Sequence, residues 1–571
     1  MTVRDYGFRV IPFVTNTATG IQTITIPSGL GSDKTPKAVE IYLSGATALD
    51  TRTATARMSI GISDGTNHRC LAGMCEDNVN ASVGDTGFRM STTALLEIVA
   101  TAAQGLVATA NFDSFDVGEV NIDWVSAPDA AYRCFAIIWY GTDLSAHVSS
   151  GFGSSTLDGT VTSTAVGFQS TLIKGYSAGQ SDFATGNGGE MMLSLGACDA
   201  DLNQASVTVV AEDRQSTTSV GVLGTAEGLG GGEGRLVAGL TSTGGTIGQG
   251  AGIEVTAISS NGWTLTTRDL GASLALMILS IRVPDVRTHV GGVPVDASAT
   301  GSFDEAFPFL PRAAGFLSIR AAQQNVIGSG QGNISVGATD GTNQAVIGFN
   351  DRDNVSTTEA DSVASNSLVV LVTNASDTDW AAEFDNFSND PADRGAILTI
   401  TDAAGADRFM IHWGIEDQLV LSPTGIAHTN AFGTAVLTLA VTPAGIAHTN
   451  AFGTAVVSAG SAQDLTPTGL AHTNAFGTAV LTLAITPAGI AHTNAFGTAV
   501  VAPGAVDVTP AGIAHTNAFG SATILQGIFI LPAGIAHTNA FGTAAVAPGA
   551  VDIAPAGIAH TNAFGAATLT L

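Results

Sequence analysis

Apolar and polar residues alternate over short segments of this chain, and no long segment keeps the 3.6-residue period of an amphipathic helix. The segment Glu254-Val-Thr-Ala-Ile258 alternates, and the apolar run at residues 274–281 has the length of a buried strand. The chain also contains 69 glycines, which favour turns between such segments. This pattern predicts an all-β protein built of β-sandwiches, of jelly-roll or immunoglobulin-like type.

A short motif occurs three times in the first 420 residues. Asp-Gly and Thr-Asn supply the positive φ and the side-chain caps that a tight turn needs, so each copy predicts a strand running into a turn. The copies are Ser59-Ile-Gly-Ile-Ser-Asp64-Gly-Thr-Asn67, Ser194-Leu-Gly-Ala-Cys-Asp199-Ala-Asp-Leu-Asn203 and Ser335-Val-Gly-Ala-Thr-Asp340-Gly-Thr-Asn343.

Each copy is followed by an acidic element and then by an apolar strand at nearly constant spacing. The acidic elements carry Asp77, Asp213 and Asp353, which lie 13, 14 and 13 residues after the motif aspartate. The apolar strands begin at Phe135, Leu274 and Phe409, which lie 71, 75 and 69 residues after it. These coincidences predict a tandem triplication.

Four domains follow from this reading. They are three β-sandwiches at 1–145, 146–285 and 286–420, and a β-repeat array at 421–571. The connectors are placed near 141–150 and near 283–297, where Gly291-Gly-Val-Pro294 reads as a Pro- and Gly-punctuated link.

The acidic elements offer oxygen ligands of the kind that calcium prefers, for example at Glu76-Asp77-Asn78 and Asn350-Asp-Arg-Asp353. The sequence lacks the pattern of an EF-hand loop, and Arg214 and Arg352 lie inside two of the three elements. Solvated hairpin tips are therefore the preferred interpretation.

Seven copies of a motif of the form P-[T/A]-G-[I/L]-A-H-T-N-A-F-G occupy the last part of the chain. In the copy at 443–453 we expect Ile446 and Phe452 to be apolar anchors and Gly445 and Gly453 to permit close backbone approach. His448 belongs to a ladder of repeat residues, and Thr449-Asn450 is predicted to be a corner. The first spacer, 434–441, reads as a strand. Such an array forms either a solenoid or an intertwined fibre.

The seven repeat histidines invite a metal site or a pH switch as alternatives to a structural ladder. A metal ion needs two or three converging ligands, and the motif contains no carboxylate or cysteine to complete the set. A structural ladder is the preferred interpretation, with no metal and no cofactor. The residues concerned are His428, His448, His472, His492, His515, His537 and His560.

The net charge of −28 is confined almost entirely to the first 420 residues. From residue 421 onward there are no Lys, Arg or Glu residues and only three acids, Asp464, Asp507 and Asp552, so the first 420 residues carry −25. An acidic chain without clustered Lys and Arg excludes nucleic acid as a partner. An uncharged, β-prone array exposes edges that pair unless they are covered, which favours a homotrimer or another homo-oligomer.

Other chemistry finds little support in the sequence. Cys70, Cys75, Cys134 and Cys198 are too few and too scattered for a disulfide framework, so reduced, buried thiols are expected. No nucleotide-binding or metalloprotease motif and no Ser-His-Asp pattern is found, which predicts that the chain is not an enzyme. The first residues do not resemble a signal peptide, and no apolar run suffices for a membrane span.

The G-I-A-H-T-N-A-F-G repeat resembles the short Gly- and Ala-rich repeats of structural proteins from tailed bacteriophages, particularly tail- or fibre-associated ones. The resemblance covers about 150 residues and implies location in the virion, assembled in the host cytoplasm. It implies other virion proteins as partners and a host-surface glycan or protein as a receptor. It assigns no role to the His-Thr-Asn core.

The predicted function is therefore a non-enzymatic virion protein, a phage tail fibre or similar appendage for particle architecture and host attachment. A capsid decoration or head fibre protein is an alternative within the same class. A bacterial surface adhesin or stalk protein is an alternative of a different class and would be expected to carry a secretion signal. A carbohydrate-active enzyme would need paired carboxylates in an aromatic cleft, which five Trp and five Tyr residues support poorly.

Overall fold

The computed structural model describes most of the first 417 residues and the backbone of the strands in the repeat region. All regular structure described in the chain is β-strand, which confirms the all-β prediction. The chain divides into two compact units, the body (Arg4–Gln418) and the repeat region (Leu419–Leu571), and each is described by itself. In the body the described residues are 5–28, 32–75, 86–99, 105–179, 190–212, 220–227, 234–243, 246–269, 273–321, 323–329, 332–351, 360–373, 378–388, 390, 394–404 and 407–417.

Strand group 1 contains ten strands in two antiparallel sheets. The inner sheet has the order β1-β10-β3-β4-β5-β6 and the outer sheet the order β2-β9-β8-β7. The strands are β1 (Gly7–Val14), β2 (Gly20–Thr25), β3 (Pro36–Ser44), β4 (Ala56–Ser63), β5 (His68–Cys75), β6 (Thr86–Ser91), β7 (Leu96–Val99), β8 (Leu106–Asp116), β9 (Glu119–Ser126) and β10 (Arg133–Tyr140).

Strand group 2 repeats this order. Its inner sheet is β11-β20-β13-β14-β15-β16-β24 and its outer sheet is β12-β19-β18-β17. The strands are β11 (Ser145–Phe152), β12 (Thr160–Ser163), β13 (Leu172–Ser177), β14 (Glu190–Asp199), β15 (Gln204–Glu212), β16 (Gly221–Ala226), β17 (Val237–Thr243), β18 (Thr246–Ser259), β19 (Gly262–Asp269), β20 (Ala275–Arg282) and, from later in the chain, β24 (Gly328–Ser329).

Strand group 3 repeats the order again, with an inner sheet β21-β31-β23-β25-β26-β27 and an outer sheet β22-β30-β29-β28. The strands are β21 (Thr288–Val295), β22 (Gly301–Ala306), β23 (Pro311–Ile319), β25 (Gly332–Thr339), β26 (Gln344–Asp351), β27 (Asp361–Ser365), β28 (Val370–Thr373), β29 (Thr378–Ser388), β30 (Gly395–Asp402) and β31 (Arg408–Glu416).

The apolar core of the body has two parts. Each group has its own core between its inner and outer sheets, centred for example on Trp124 in group 1, Trp263 in group 2 and Trp380 in group 3. A larger shared core is lined by the inner sheets of all three groups and contains Phe8 and Trp413. Alternate residues of an inner strand face opposite sides of the sheet. Because the shared core covers one side and the core of the group covers the other, both sets of residues are buried, and the inner strands read as apolar runs rather than as alternating segments.

Three sequence-based expectations need correction in the body. The connector predicted at 283–297 contains β21, because Gly291-Gly-Val-Pro294 lies in an edge strand, where proline is tolerated. The segment Gly328–Ser329, assigned to 286–420, pairs with the sheet of group 2. Asn350 and Asp351 are buried rather than part of a solvated hairpin tip.

In the repeat region, equal positions of successive copies pair in parallel. One sheet holds the seven Ile-Ala-His-Thr-Asn or Leu-Ala-His-Thr-Asn strands and the other holds the seven spacer strands. The motif strands are β32 (Ile426–Asn430), β34 (Ile446–Asn450), β36 (Leu470–Asn474), β38 (Ile490–Asn494), β40 (Ile513–Asn517), β42 (Ile535–Asn539) and β44 (Ile558–Asn562). The spacer strands are β33 (Ala435–Leu439), β35 (Ala455–Ala459), β37 (Thr478–Thr482), β39 (Thr498–Val501), β41 (Ala522–Gln526), β43 (Ala544–Pro548) and β45 (Ala567–Leu569).

Candidate functional site

The serine of each body motif ties the inner sheet of its group to the outer part of the same group. Its Oγ accepts a hydrogen bond from a backbone N–H of the first outer strand after the motif turn, which is β7, β17 or β28. The pairs are Ser59 with Glu97 N at 3.4 Å, Ser194 with Ala238 N at 3.0 Å, and Ser335 with Leu371 N at 2.9 Å. The serine therefore supplies a hydrogen-bond acceptor to a buried backbone donor in an edge strand of the outer sheet.

The glycine of each motif lets the same two layers approach closely. A Cβ placed at this glycine would overlap a backbone carbonyl oxygen of the neighbouring layer. The separations would be 1.9 Å from Leu95 O at Gly61, 2.2 Å from Leu236 O at Gly196 and 1.9 Å from Val369 O at Gly337. No other residue type fits without a backbone shift.

The aspartate of each motif caps its own turn with one carboxylate oxygen. Oδ1 of Asp64 accepts from the backbone N–H groups of Thr66 and Asn67, at 2.8 and 2.6 Å. Asp199 and Asp340 do the same in groups 2 and 3. Gly65 and Gly341 have φ of 87° and 80° in two of these turns, as the sequence predicts.

The second oxygen of the same aspartate binds the next strand group. Oδ2 accepts from a backbone N–H in the first strand of that group, so group 1 binds group 2, group 2 binds group 3, and group 3 binds group 1. The three contacts are Asp64 with Val148 N at 2.7 Å, Asp199 with Val290 N at 3.0 Å, and Asp340 with Val10 N at 3.1 Å. These three bonds, named here the aspartate clamps, close the groups into a quasi-threefold ring.

Histidines lie beside two of the clamps. Nδ1 of His147 is 3.6 Å from Asp64 Oδ2, and Nδ1 of His289 is 3.8 Å from Asp199 Oδ2. Burial, together with the nearby His412, lowers the pKa of His289 to about 4. Burial raises the pKa of Asp199, against the hydrogen bonds that it accepts. His289 is therefore neutral where most carboxylates are ionised.

His412 packs inside group 3, next to His289. Its Nδ1 lies 2.8 Å from Oε1 of Glu305, and both side chains are buried. The ring of His412 is 5.5 Å from that of His289 and 4.8 Å from that of Phe307. Gly291 leaves the space for this imidazole, since a Cβ there would lie 2.6 Å from Nε2.

A buried ion pair lies in the shared core. Nζ of Lys174 in β13 is 2.5 Å from Oε2 of Glu40 in β3, with 5% and 0% of the two side chains exposed. The carboxylate also accepts from the hydroxyls of Tyr42 at 2.7 Å and Tyr176 at 2.6 Å, and from Trp139 Nε1 at 2.9 Å. Four donors on one carboxylate supply the compensation that a buried charge requires.

Group 3 contributes an aromatic face to this cluster. Nζ of Lys174 lies 4.0 Å from the centroid of the Trp413 ring, a cation–π geometry. Trp413 in turn stacks on Trp139, with centroids 5.9 Å apart and an interplanar angle of 28°. The set is named here the axial cluster, and it consists of Glu40, Tyr42, Trp139, Lys174, Tyr176 and Trp413.

The three groups carry unlike residues at the register position that contributes Glu40 and Lys174 to the axial cluster. In each group, the last strand of the inner sheet lies between the first and the third strand. One residue of this last strand is paired with the clamp valine of the first strand and, on the other side, with one residue of the third strand. That residue is Glu40 opposite Ile137 in group 1, Lys174 opposite Leu279 in group 2, and Gly315 opposite Trp413 in group 3. The triplicated fold thus places an anion, a cation and a glycine at one site.

Burial shifts the titration of the cluster. It lowers the pKa of Lys174, and the charge of Glu40 opposes that shift. It raises the pKa values of Tyr42 and Tyr176 well above their usual range, and Glu40 raises them further. Both hydroxyls therefore remain protonated donors to the carboxylate.

Cys70, Cys75, Cys134 and Cys198 are buried thiols that form no disulfide, as the sequence predicts. Burial raises the thiol pKa values of Cys70, Cys134 and Cys198, so these thiols have little nucleophilic character.

The structure describes only part of the predicted repeat site. Ile446, His448 and Asn450 lie in β34, and the register pairs the seven histidine positions from His428 to His560 in one ladder. Gly445, Phe452 and Gly453 lie outside the described residues. The corner predicted at Thr449-Asn450 is wrong, because both residues end the strand.

Two other predicted features also fall on undescribed parts of the chain. Asp77, Asp213 and Asp353 of the acidic elements lie outside the described residues. Within the described residues, no group of three or more His, Cys, Asp or Glu side chains could hold a metal ion. The same residues include no helix long and apolar enough to span a membrane.

The axial cluster was not predicted from the sequence. A signal was present: Val39-Glu40-Ile41-Tyr42 and Ile173-Lys174-Gly175-Tyr176 each place one charge inside an apolar strand, two residues before a tyrosine. A lone charge in a doubly buried strand needs a partner, and the opposite signs at matched positions identify each other.

No protein-family model matches the sequence, and no curated protein matches it. Among solved structures, one similarity is to the structure of the Macrobrachium rosenbergii nodavirus, covering 50% of this chain and 99% of that chain. The sequence identity is 11% and the TM-score is 0.10, and these values do not indicate a shared fold.

Proposed function

We propose that the chain is a non-enzymatic structural protein of a bacteriophage particle, a tail fibre or similar appendage that contributes to particle architecture and host attachment. The observation that carries this proposal is the use of the recurrent motif. Its serine, glycine and aspartate each hold one layer or one strand group against another. The residues that recur in the body are thus committed to architecture.

In this proposal the three strand groups are three tandem β-sandwich domains, at 1–145, 146–285 and 286–420. The repeat region, 421–571, is a β-solenoid in which each copy forms one coil of two strands. Coils advance by about 4.8 Å, so seven of them give a block of roughly 35 Å. Parallel pairing of equal positions within one chain supports the solenoid over an intertwined fibre.

Its partners are other virion proteins and a host-surface glycan or protein. The strong negative charge of the body keeps a particle component from adhering to nucleic acid or to anionic membranes. We assign receptor binding to the loops of the sandwiches, because binding residues are found disproportionately on loops that a rigid scaffold positions.

The test is to purify the phage particles and identify their proteins by mass spectrometry, with the particle-free fraction of the same lysate as the control. We expect the chain in the particles, and gold-labelled antibody against the body should mark an appendage in electron micrographs. Abundance in the lysate together with absence from the particles would overturn the proposal. Cleavage of host polysaccharide by the purified protein would overturn its non-enzymatic part.

A further inference from the structure

The three strand groups share a strand order and a buried inner face. During folding, each group must therefore associate with the correct other group although their surfaces are alike. Each inner sheet presents an apolar surface that contributes to the shared core. An apolar surface is non-directional and does not distinguish group 2 of the same chain from group 1 of another chain. Something else must distinguish them.

The aspartate clamps do not supply the distinction. Each clamp joins a motif aspartate to a backbone N–H of a valine in the first strand of the next group. The donor is a backbone group and the acceptor is the same residue type in all three groups. Any group can therefore clamp any other.

The axial cluster is where the groups differ. Glu40, Lys174 and Gly315 occupy equivalent register positions, and the first two meet in the shared core at 2.5 Å. Three copies of group 1 around one axis would bring three Glu40 carboxylates together, and three copies of group 2 would bring three ammonium groups together. Buried like charges are strongly unfavourable.

We propose that the Glu40–Lys174 pair directs strand group 1 to strand group 2 and excludes a second group 1 or a second group 2 from the shared core. Group 3 contributes uncharged residues, Gly315 and Trp413, at this position in the shared core. Gly315 leaves room for the Trp413 ring, since a Cβ there would lie 2.3 Å from Nε1, and that ring faces the ammonium of Lys174. The body is then a closed, single-chain equivalent of a trimer.

The test uses two charge-reversed full-length chains, E40K and K174E. Each alone places like charges together in the shared core. Mixed, the two chains can satisfy both sites by exchanging groups: the ammonium introduced by E40K in one chain meets the carboxylate introduced by K174E in the other, and the remaining site keeps the native Glu40 and Lys174. We expect the 1:1 mixture, unfolded and refolded together, to yield at least about ten-fold more dimer than either variant alone, measured by light scattering after size exclusion.

Wild-type protein, refolded in the same way, is the control and should remain monomeric through its body. Refolding of E40K and K174E separately to wild-type-like monomers, without dimer in the mixture, would overturn the proposal. If neither variant folds in any mixture, the apolar double variant E40L/K174M decides. Refolding of that variant to mixed oligomers supports the proposal. Because apolar replacement of a buried ion pair is often neutral for stability, this variant is expected to fold. Its refolding to a clean monomer shows that the pair does not select partners and overturns the proposal.

Discussion

The body and the repeat region both place copies of one sequence unit side by side, but they use the repetition in opposite ways. In the repeat region, equal residues pair in register: Ile with Ile or Leu, His with His, Asn with Asn. In the body, equal positions hold unlike residues, Glu40, Lys174 and Gly315, which complement one another.

Charge explains the difference. Identical charges stacked at the spacing of paired strands repel, so an in-register array of like residues must be neutral at its paired positions. The described repeat strands contain no Asp, Glu, Lys or Arg. Around a closed ring of diverged units, by contrast, opposite charges can be assigned to separate copies. An array of near-identical copies can add further copies in the same register, whereas the three diverged groups form a closed ring.

The largest effect that this comparison predicts is at the axial cluster. Replacement of Lys174 by Met leaves Glu40 buried without its cation and should lower the free energy of unfolding of the body by about 3–5 kcal/mol. All five tryptophans lie before residue 414, so tryptophan fluorescence during denaturant unfolding reports on the body alone. Lys37 lies exposed in β3, and its replacement by Met is the matched control, with little expected change. Equal stability of the two variants would show that the Glu40–Lys174 pair does not stabilise the body.

The next effect concerns the motif glycine. In the variant Gly337→Ala, a Cβ only 1.9 Å from the carbonyl oxygen of Val369 forces the two layers apart. We expect a loss of about 3 kcal/mol, the upper end of the usual cost of overpacking. Gly105 has no atom within 4 Å of its added Cβ, so Gly105→Ala is the control. Thermal unfolding followed by tryptophan fluorescence separates the two, and indistinguishable melting temperatures would contradict the role given to this glycine.

A smaller effect depends on pH. The pKa of His289 is lowered from 6.5 to about 4, so the unfolded state binds a proton more readily than the folded state does. The body should therefore lose stability as the pH falls from about 7 to about 4. The full shift corresponds to about 3 kcal/mol, and the one-quarter exposure of the side chain reduces this to about 2 kcal/mol.

The variant His289→Gln should lack this part of the acid dependence. Its unfolding free energy, measured by denaturant titration at pH 7 and pH 4, should change less between the two values than that of the wild type. A variant that loses as much stability as the wild type over this interval would show that His289 does not titrate in the way described.

The smallest effect is expected in the repeat region. Deletion of residues 473–492 removes one 20-residue step, from His472 to His492, and preserves the register of the remaining copies. Because each repeat contacts only its neighbours, the array shortens and the tryptophan transition of the body should move by less than about 0.5 kcal/mol. A collapse of body stability after this deletion would contradict the division into two units.

Local patterns predicted much of this fold. The motifs at Asp64, Asp199 and Asp340 correctly place the ends of β4, β14 and β25 and their turns, because turn chemistry is local. The apolar runs correctly identify β10, β20 and β31 as buried strands.

The features that were missed depend on distant partners. Glu40 and Lys174 are 134 residues apart, and the clamp of Asp340 reaches back 330 residues to Val10. The Gly291-Gly292 pair reads as a linker because sequence alone does not reveal the neighbours that need the space, the His412 imidazole at Gly291 and the side chains of Ala226 and Phe409 at Gly292. Likewise, Thr449-Asn450 has turn propensity, but parallel pairing with the neighbouring copies keeps it extended.

The three aspartate clamps can all form only after the three strand groups have been synthesised. The ring cannot close until β31 has been made, and the 276 residues from Tyr140 to Glu416 take on the order of 15–55 s to synthesise at about 5–20 residues per second. Until the strands of group 2 have been made, the inner face of the first group lacks its partner, and exposed apolar surface of this kind is prone to aggregation. Rapid production of this protein therefore raises the concentration of incomplete chains that expose this apolar face.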